Sequence, residues 1–187
     1  SLSLESVTME SSVKSIGESA FNLCSSLFAL EIGRSVTEIG LGAFYSCSSL
    51  VSTRIPHSVV ILGYKAFMYC SALESLTIPD SVITLATATT EGSRLCDGCT
   101  SLASVVIGDG LENIPQKTFQ GCSNIENVTI GSSVTKIDST AFDSCKAITT
   151  LNLRTPLVGN TYSASSTFLG KYFSASASKV QHVTVGG

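Results

Sequence analysis

The chain has 187 residues, of which 43% are apolar and 13% charged, with a formal net charge of -3. Such a length suits one domain with a substantial core, and the balance excludes disorder driven by charge repulsion. An acidic pI near 5.3 without any Lys/Arg run offers no footprint for nucleic acid or an anionic membrane surface, and no apolar stretch approaches the roughly 20 residues that span a bilayer.

In chain order, residues 1–20 lack a basic start followed by an apolar core, so no signal peptide is expected in this segment. Leu4, Val7 and Met9 alternate as a first strand would. A period then sets in. Cys24, Cys47 and Cys70 lie 23 residues apart, as do Cys99, Cys122 and Cys145. In the same phase Phe precedes the cysteine by three residues at Phe21, Phe44, Phe67, Phe119 and Phe142, and Leu or Ile follows it by three at Leu27, Leu50, Leu73, Leu102, Ile125 and Ile148. The unit is S-V-x-x-I-G-x-x-A-F-x-x-C-x-x-L-x-x-L-x-I. Its last apolar pairs, such as Leu30 and Ile32, Leu76 and Ile78, or Val128 and Ile130, alternate and predict one short half-buried strand per unit. Gly33, Pro56, Pro79, Gly108 or Gly131 then closes that strand. The A-F-x-x-C segment is too short for a full helix and is expected to make one helical or 3₁₀ turn on the opposite side.

One such unit buries too little to fold alone, so stacked units must share a core, giving a solenoid with a parallel sheet on one face. Between Cys70 and Cys99 the spacing grows to 29, which places an insertion at residues 86–94. After Leu153 the register is lost through Ser178, and Val180, Val183 and Val185 restore a strand pattern. The expected organisation is therefore one domain over residues 1–187, with regular repeats about 12–155 and a degenerate terminal coil carrying its own insertion over 156–187. A start at Ser1 and ends without obvious polar caps suggest a piece of a longer array.

The segments SVTEIGLGAFYSCSSL at residues 35–50 and LESLTIPDSV at residues 73–82 resemble the BspA-like leucine-rich repeat family, and the resemblance runs from Leu4 to about Leu153. It implies an α/β, right-handed, curved leucine-rich-repeat solenoid with a parallel β-sheet on one face and short helical or 3₁₀ turns and irregular structure on the other. It also implies a place in a bacterial or protozoan surface or secreted protein, where members of the family bind host extracellular-matrix proteins and support adhesion. The stretch LVGNTYSASSTFLGKYFSASASKVQHVTVGG is similar to the irregular inserts of long surface-array members. Departures from the family pattern are Leu95-Cys96, where Ala-Phe is expected, and Gly33, Gly108 and Gly131, where many repeats carry Pro.

Little in the sequence suggests catalysis. No nucleophile elbow or phosphate loop occurs, His57 falls in a Pro-containing turn, and His182 falls in the terminal strand pattern. Cys96-Asp97-Gly98-Cys99 has C-x-x-C spacing, but Cys99 is the repeat cysteine, Cys96 takes the buried Phe place, and no second ligand pair completes a zinc site. The in-phase cysteines project in parallel from stacked coils and are expected to be reduced, buried, small hydrophobes. Asn127-Val128-Thr129 matches a glycosylation sequon that overlaps a predicted strand.

What remains is the outward position of each strand: Thr8, Glu31, Arg54, Thr77, Val106, Thr129, Asn152 and Thr184. Glu31 and Arg54 are expected to be cross-strand neighbours able to pair. The reading is a non-catalytic module with no cofactor or metal, binding a protein ligand through Glu31, Arg54, Thr77, Val106, Thr129 and Asn152. A host extracellular-matrix or cell-surface protein is the ligand that the resemblance implies. The alternative reading is a structural spacer array, and a cysteine-based redox or metal site ranks third.

Overall fold

A computed structural model describes residues 3–154, 171–174, 176–177 and 179–186. Along the chain run β1 (Ser6–Thr8), β2 (Ser15–Ile16), β3 (Ala29–Glu31), β4 (Glu38–Ile39), β5 (Ile61–Leu62), β6 (Ser75–Ile78) and β7 (Thr84–Leu85). They continue with β8 (Ser104–Ile107), β9 (Asn113–Ile114), β10 (Asn127–Ile130), β11 (Lys136–Ile137), β12 (Thr150–Leu153) and β13 (His182–Val185). Strands of successive units pair in parallel, so the chain is a parallel β-solenoid of about six turns with almost no helix.

The L-x-I segments form the front sheet. β1 pairs with β3, and β6, β8, β10, β12 and β13 follow one another in a five-stranded sheet. Register is set by burial, because a one-residue slip would turn Leu76, Val105, Val128 and Leu151 out of the core. Between these two sheets the third unit contributes only the parallel bridge of Glu31 to Arg54. There Thr53 holds the place of Leu30 and Leu76, and its hydroxyl is enclosed without a hydrogen-bond partner. A polar side chain at a core position weakens the packing that elsewhere holds the strand.

Each regular unit carries two strands where one was expected. The S-V-x-x-I start of the repeat ends in a two-residue strand whose Ile or Leu enters the core, as Ile39, Leu62 and Leu85 do. These strands make a second parallel ladder, β2-β4-β5-β7, and a separate pair, β9-β11. The split coincides with the insertion at residues 86–94 and with Pro115. Gly63, Ala86 and Asp138 at the equivalent place donate their N–H to the preceding coil at 2.7 to 2.9 Å; proline has no N–H to donate.

The expected helical or 3₁₀ turn is also replaced. Along A-F-x-x-C the chain makes successive turns in which, up to the unit of Cys122, the residues five before and one before the cysteine adopt positive φ, such as Lys65 and Tyr69, both at 60°. These turns aim every second N–H group at the next coil, as with Lys65, Phe67 and Tyr69. Phe44 N–H thus reaches the Ala66 carbonyl at 2.9 Å and Ser46 N–H the Met68 carbonyl at 2.8 Å, one coil on. A left-handed non-glycine residue costs roughly 1–2 kcal/mol, and the inter-coil bonds offset it. A helical turn would spend those N–H groups within the coil; here they build a third ladder between coils.

One continuous apolar core runs between the ladders from Ile16 to Phe173. Stacked rings mark its axis: Phe21 on Phe44 at 5.3 Å, Phe44 on Phe67 at 5.4 Å, and Phe119 on Phe142 at 5.2 Å. Cys96 interrupts the row. At the C-terminal end the register resumes earlier than expected, because Tyr172 and Phe173 take the Ala-Phe place and Phe173 packs on Phe142 at 4.9 Å. Most of the insertion expected after residue 154 lies outside the described residues.

Candidate functional site

The outward positions of the front sheet form rows fixed by strand register. Thr8 stands beside Glu31 and Glu31 beside Arg54; Thr77, Val106, Thr129, Asn152 and Thr184 then follow in unbroken register. Glu31, Arg54, Thr77 and Val106 are exposed, and Thr129 and Asn152 are half-buried. The structure therefore brings Thr77, Val106, Thr129 and Asn152 together, and sets Glu31 and Arg54 apart on the other side of the break at Thr53. Glu31 and Arg54 are neighbours, but no ion pair joins them among the described residues.

A cleft of about 390 Å³ opens beside that pair, and Arg34, Pro56, His57 and Ser58 line it with Glu31 and Arg54. Arg34 and His57 escape a strand-by-strand reading because they follow the strands, one residue after Gly33 and Pro56. The same row continues as Asp80, Asp109 and Ser132. In that part it serves the backbone: Asp109 N–H donates to the Asp80 carboxylate at 2.8 Å, and Ser132 N–H to the Asp109 carboxylate at 2.7 Å. The bond from Ser132, with Arg154 3.3 Å away, holds the Asp109 carboxyl below its usual range. Gly131 follows from this stacking, since a Cβ there would lie 2.3 Å from the Gly108 carbonyl oxygen.

The insertion at residues 86–94 is tied to the scaffold. Ala88 and Gly92 form an antiparallel bridge, and Tyr64 Oη donates to Glu91, which also meets Lys65 at 3.5 Å and Arg94 at 3.4 Å. The hydrogen bond from Tyr64, with Lys65 alongside, lowers the Glu91 carboxyl. A second, more polar cleft of about 220 Å³ lies where this insertion meets Asn113, Gln116 and Lys136.

The cysteines have a role that their apolar reading misses. Cys47, Cys70, Cys99 and Cys145 donate through Sγ to the Phe carbonyl of the preceding coil at 3.1 to 3.2 Å, and Cys122 donates to the Cys96 carbonyl at 2.9 Å. All seven thiols are free and buried. Burial pushes the Cys47 and Cys145 thiols up to about 12 and raises Cys70, Cys96 and Cys122 as well. Hydrogen bonds from Cys122 and Cys96 lower Cys99. The Cys122 hydrogen, however, already points at the Cys96 carbonyl, so the direction that governs this enclosed group is the upward one set by burial. Such thiols lack the exposed, electropositive setting of a reactive cysteine. No group of three metal-ligating side chains gathers among the described residues, and no helix there is long and apolar enough to cross a membrane.

The profile of the BspA type leucine rich repeat region matches six copies, over residues 1–95 and 89–169. The chain is similar to the T. pallidum leucine rich repeat protein TpLRR, with 28% identity and a TM-score of 0.66 over 76% of this chain. It shares its fold with the pneumococcal vaccine antigen PcpA, with 18% identity and a TM-score of 0.73 over 98% of this chain. It spans 64% of the first of these structures and 42% of the second. No curated protein matches the chain.

Proposed function

The chain belongs to the BspA-type leucine-rich-repeat family, and from that premise we propose that it is a non-catalytic, protein-binding adhesion module, displayed on a cell surface or secreted. Leucine-rich repeats commonly mediate protein interactions, and families built from them are generally non-catalytic. The observation that carries the reading is the front sheet, where Thr77, Val106, Thr129 and Asn152 stand in continuous register on a scaffold of buried Leu, Val and Ile. Such a rigid, extended face suits a protein ligand, and its small side chains without an aromatic anchor give modest affinity per module. Useful strength then comes from several copies acting together. The surface location rests on the family and on the resemblance to a vaccine antigen.

The test is biolayer interferometry of the chain, displayed multivalently, against fibronectin, fibrinogen and a panel of other matrix proteins. Saturable binding that the double substitution Thr77→Arg, Thr129→Arg abolishes, with the fold retained by circular dichroism, is the expected result. An absence of binding across the panel would support the spacer reading instead, for which the free, buried thiols speak.

A further inference from the structure

We infer that the cleft between the second and third units is an anchoring site for an acidic segment of a protein ligand, with Arg34 and Arg54 as carboxylate receptors and His57 at its edge. This proposal rests on the protein-binding reading and adds the chemistry of the partner.

Three observations carry it. First, the repeat brings two arginines and a histidine together: Arg34 and His57 occupy equivalent places in successive coils, and Arg54 follows Glu31 in the neighbouring row. Second, no ion pair neutralises either arginine among the described residues, although Glu31 lies beside Arg54. Lys65, Arg94 and Arg154 each meet a carboxylate within 4.0 Å, whereas Arg34 and Arg54 meet none among the described residues. In the row that holds Arg34 and His57, the next acids are Asp80 and Asp109, and both are already engaged by backbone N–H groups. Two unpaired guanidinium groups thus share one recess in a chain of net charge -3. Third, the recess lies where the front sheet loses its strand: the third unit pairs only at Arg54, Thr53 replaces the core Leu, and Pro56 has no N–H. The cleft of about 390 Å³ admits a side-chain carboxylate, and a planar guanidinium fork can hold it by two parallel hydrogen bonds. Glu31 on the same wall repels a uniformly anionic polymer. The site therefore favours carboxylates spaced along a peptide.

The probe is a synthetic peptide of alternating Glu and Gly, compared with its Gln counterpart and with a sulfated polysaccharide, each titrated against the multivalent chain at low and at physiological salt. Saturable binding of the Glu peptide alone is expected. Arg34→Ala combined with Arg54→Ala should weaken it by at least ~10-fold, and Arg154→Ala should leave it unchanged. Thermal melts confirm that the variants fold. Equal binding of the Glu and Gln peptides, an unaltered double variant, or arginine-dependent capture of the polysaccharide without the peptide would each overturn the proposal. Matrix-protein binding that needs Thr77 and Thr129 but survives the double arginine substitution would sink this inference and leave the sheet-face reading intact. Peptide binding without any matrix-protein binding would do the reverse.

Discussion

Cys70 shows what a single repeated side chain contributes. Its Sγ–H donates to the Phe44 carbonyl at 3.1 Å, which also accepts Cys47 N–H at 3.2 Å, while the sulfur fills the core. Packing alone would make a near-isosteric apolar residue harmless at this place. The hydrogen bond predicts otherwise: Cys70→Val should lower the unfolding free energy by about 1 kcal/mol, the net worth of a lost buried bond, as read from urea denaturation. A neutral result would return the cysteine to a purely apolar role. The period and burial of the cysteines are legible in the sequence, because burial follows from phase. The bond is not, because its acceptor lies 26 residues away in another coil. Arg34 and His57 illustrate the same limit: their residue types are visible, but their unpaired convergence on one cleft depends on where every carboxylate goes.

Among the elements, the six-residue insertion is where local sequence says least about structure. Its position follows from the change in spacing between Cys70 and Cys99, but its tethering depends on contacts with the coils before and after it. Gly92 is the pin. With φ at +70° it lets the backbone pass the next coil, and a Cβ there would lie 2.1 Å from the Gln116 carbonyl oxygen. Gly92→Ala should therefore cost roughly 1–3 kcal/mol in urea denaturation, whereas Glu91→Gln, which removes only surface ion pairs screened by solvent, should cost clearly less. Equal effects would show that the loop is held by its charges rather than by close backbone approach. The second strand of each regular unit and the successive turns of A-F-x-x-C were hidden for a related reason. Two-residue strands leave no periodicity to read, and left-handed residues such as Lys65 and Tyr69 are tolerated only because the adjacent coil receives their N–H groups.

At the scale of the whole molecule, one uninterrupted core and three inter-coil ladders argue that the chain unfolds as one cooperative domain. Far-UV circular dichroism and tyrosine fluorescence should report coincident urea transitions; tyrosine is the natural probe because the chain has no Trp. Separate transitions would divide the solenoid at its weakest seam, near the break at Thr53 or the split at Pro115. By itself the sequence determined the repeat, the family, the phase of the core and the outward row of the front sheet, since each follows from side-chain chemistry recurring at a fixed spacing. Only the tertiary structure decided that each regular coil has two strands, that the third face is a ladder of turns, that the thiols cap Phe carbonyls, and that Arg34 and Arg54 share a cleft. Those features are pairings between coils, and a hydrogen bond or an unpaired charge is defined by a neighbour that is distant along the chain.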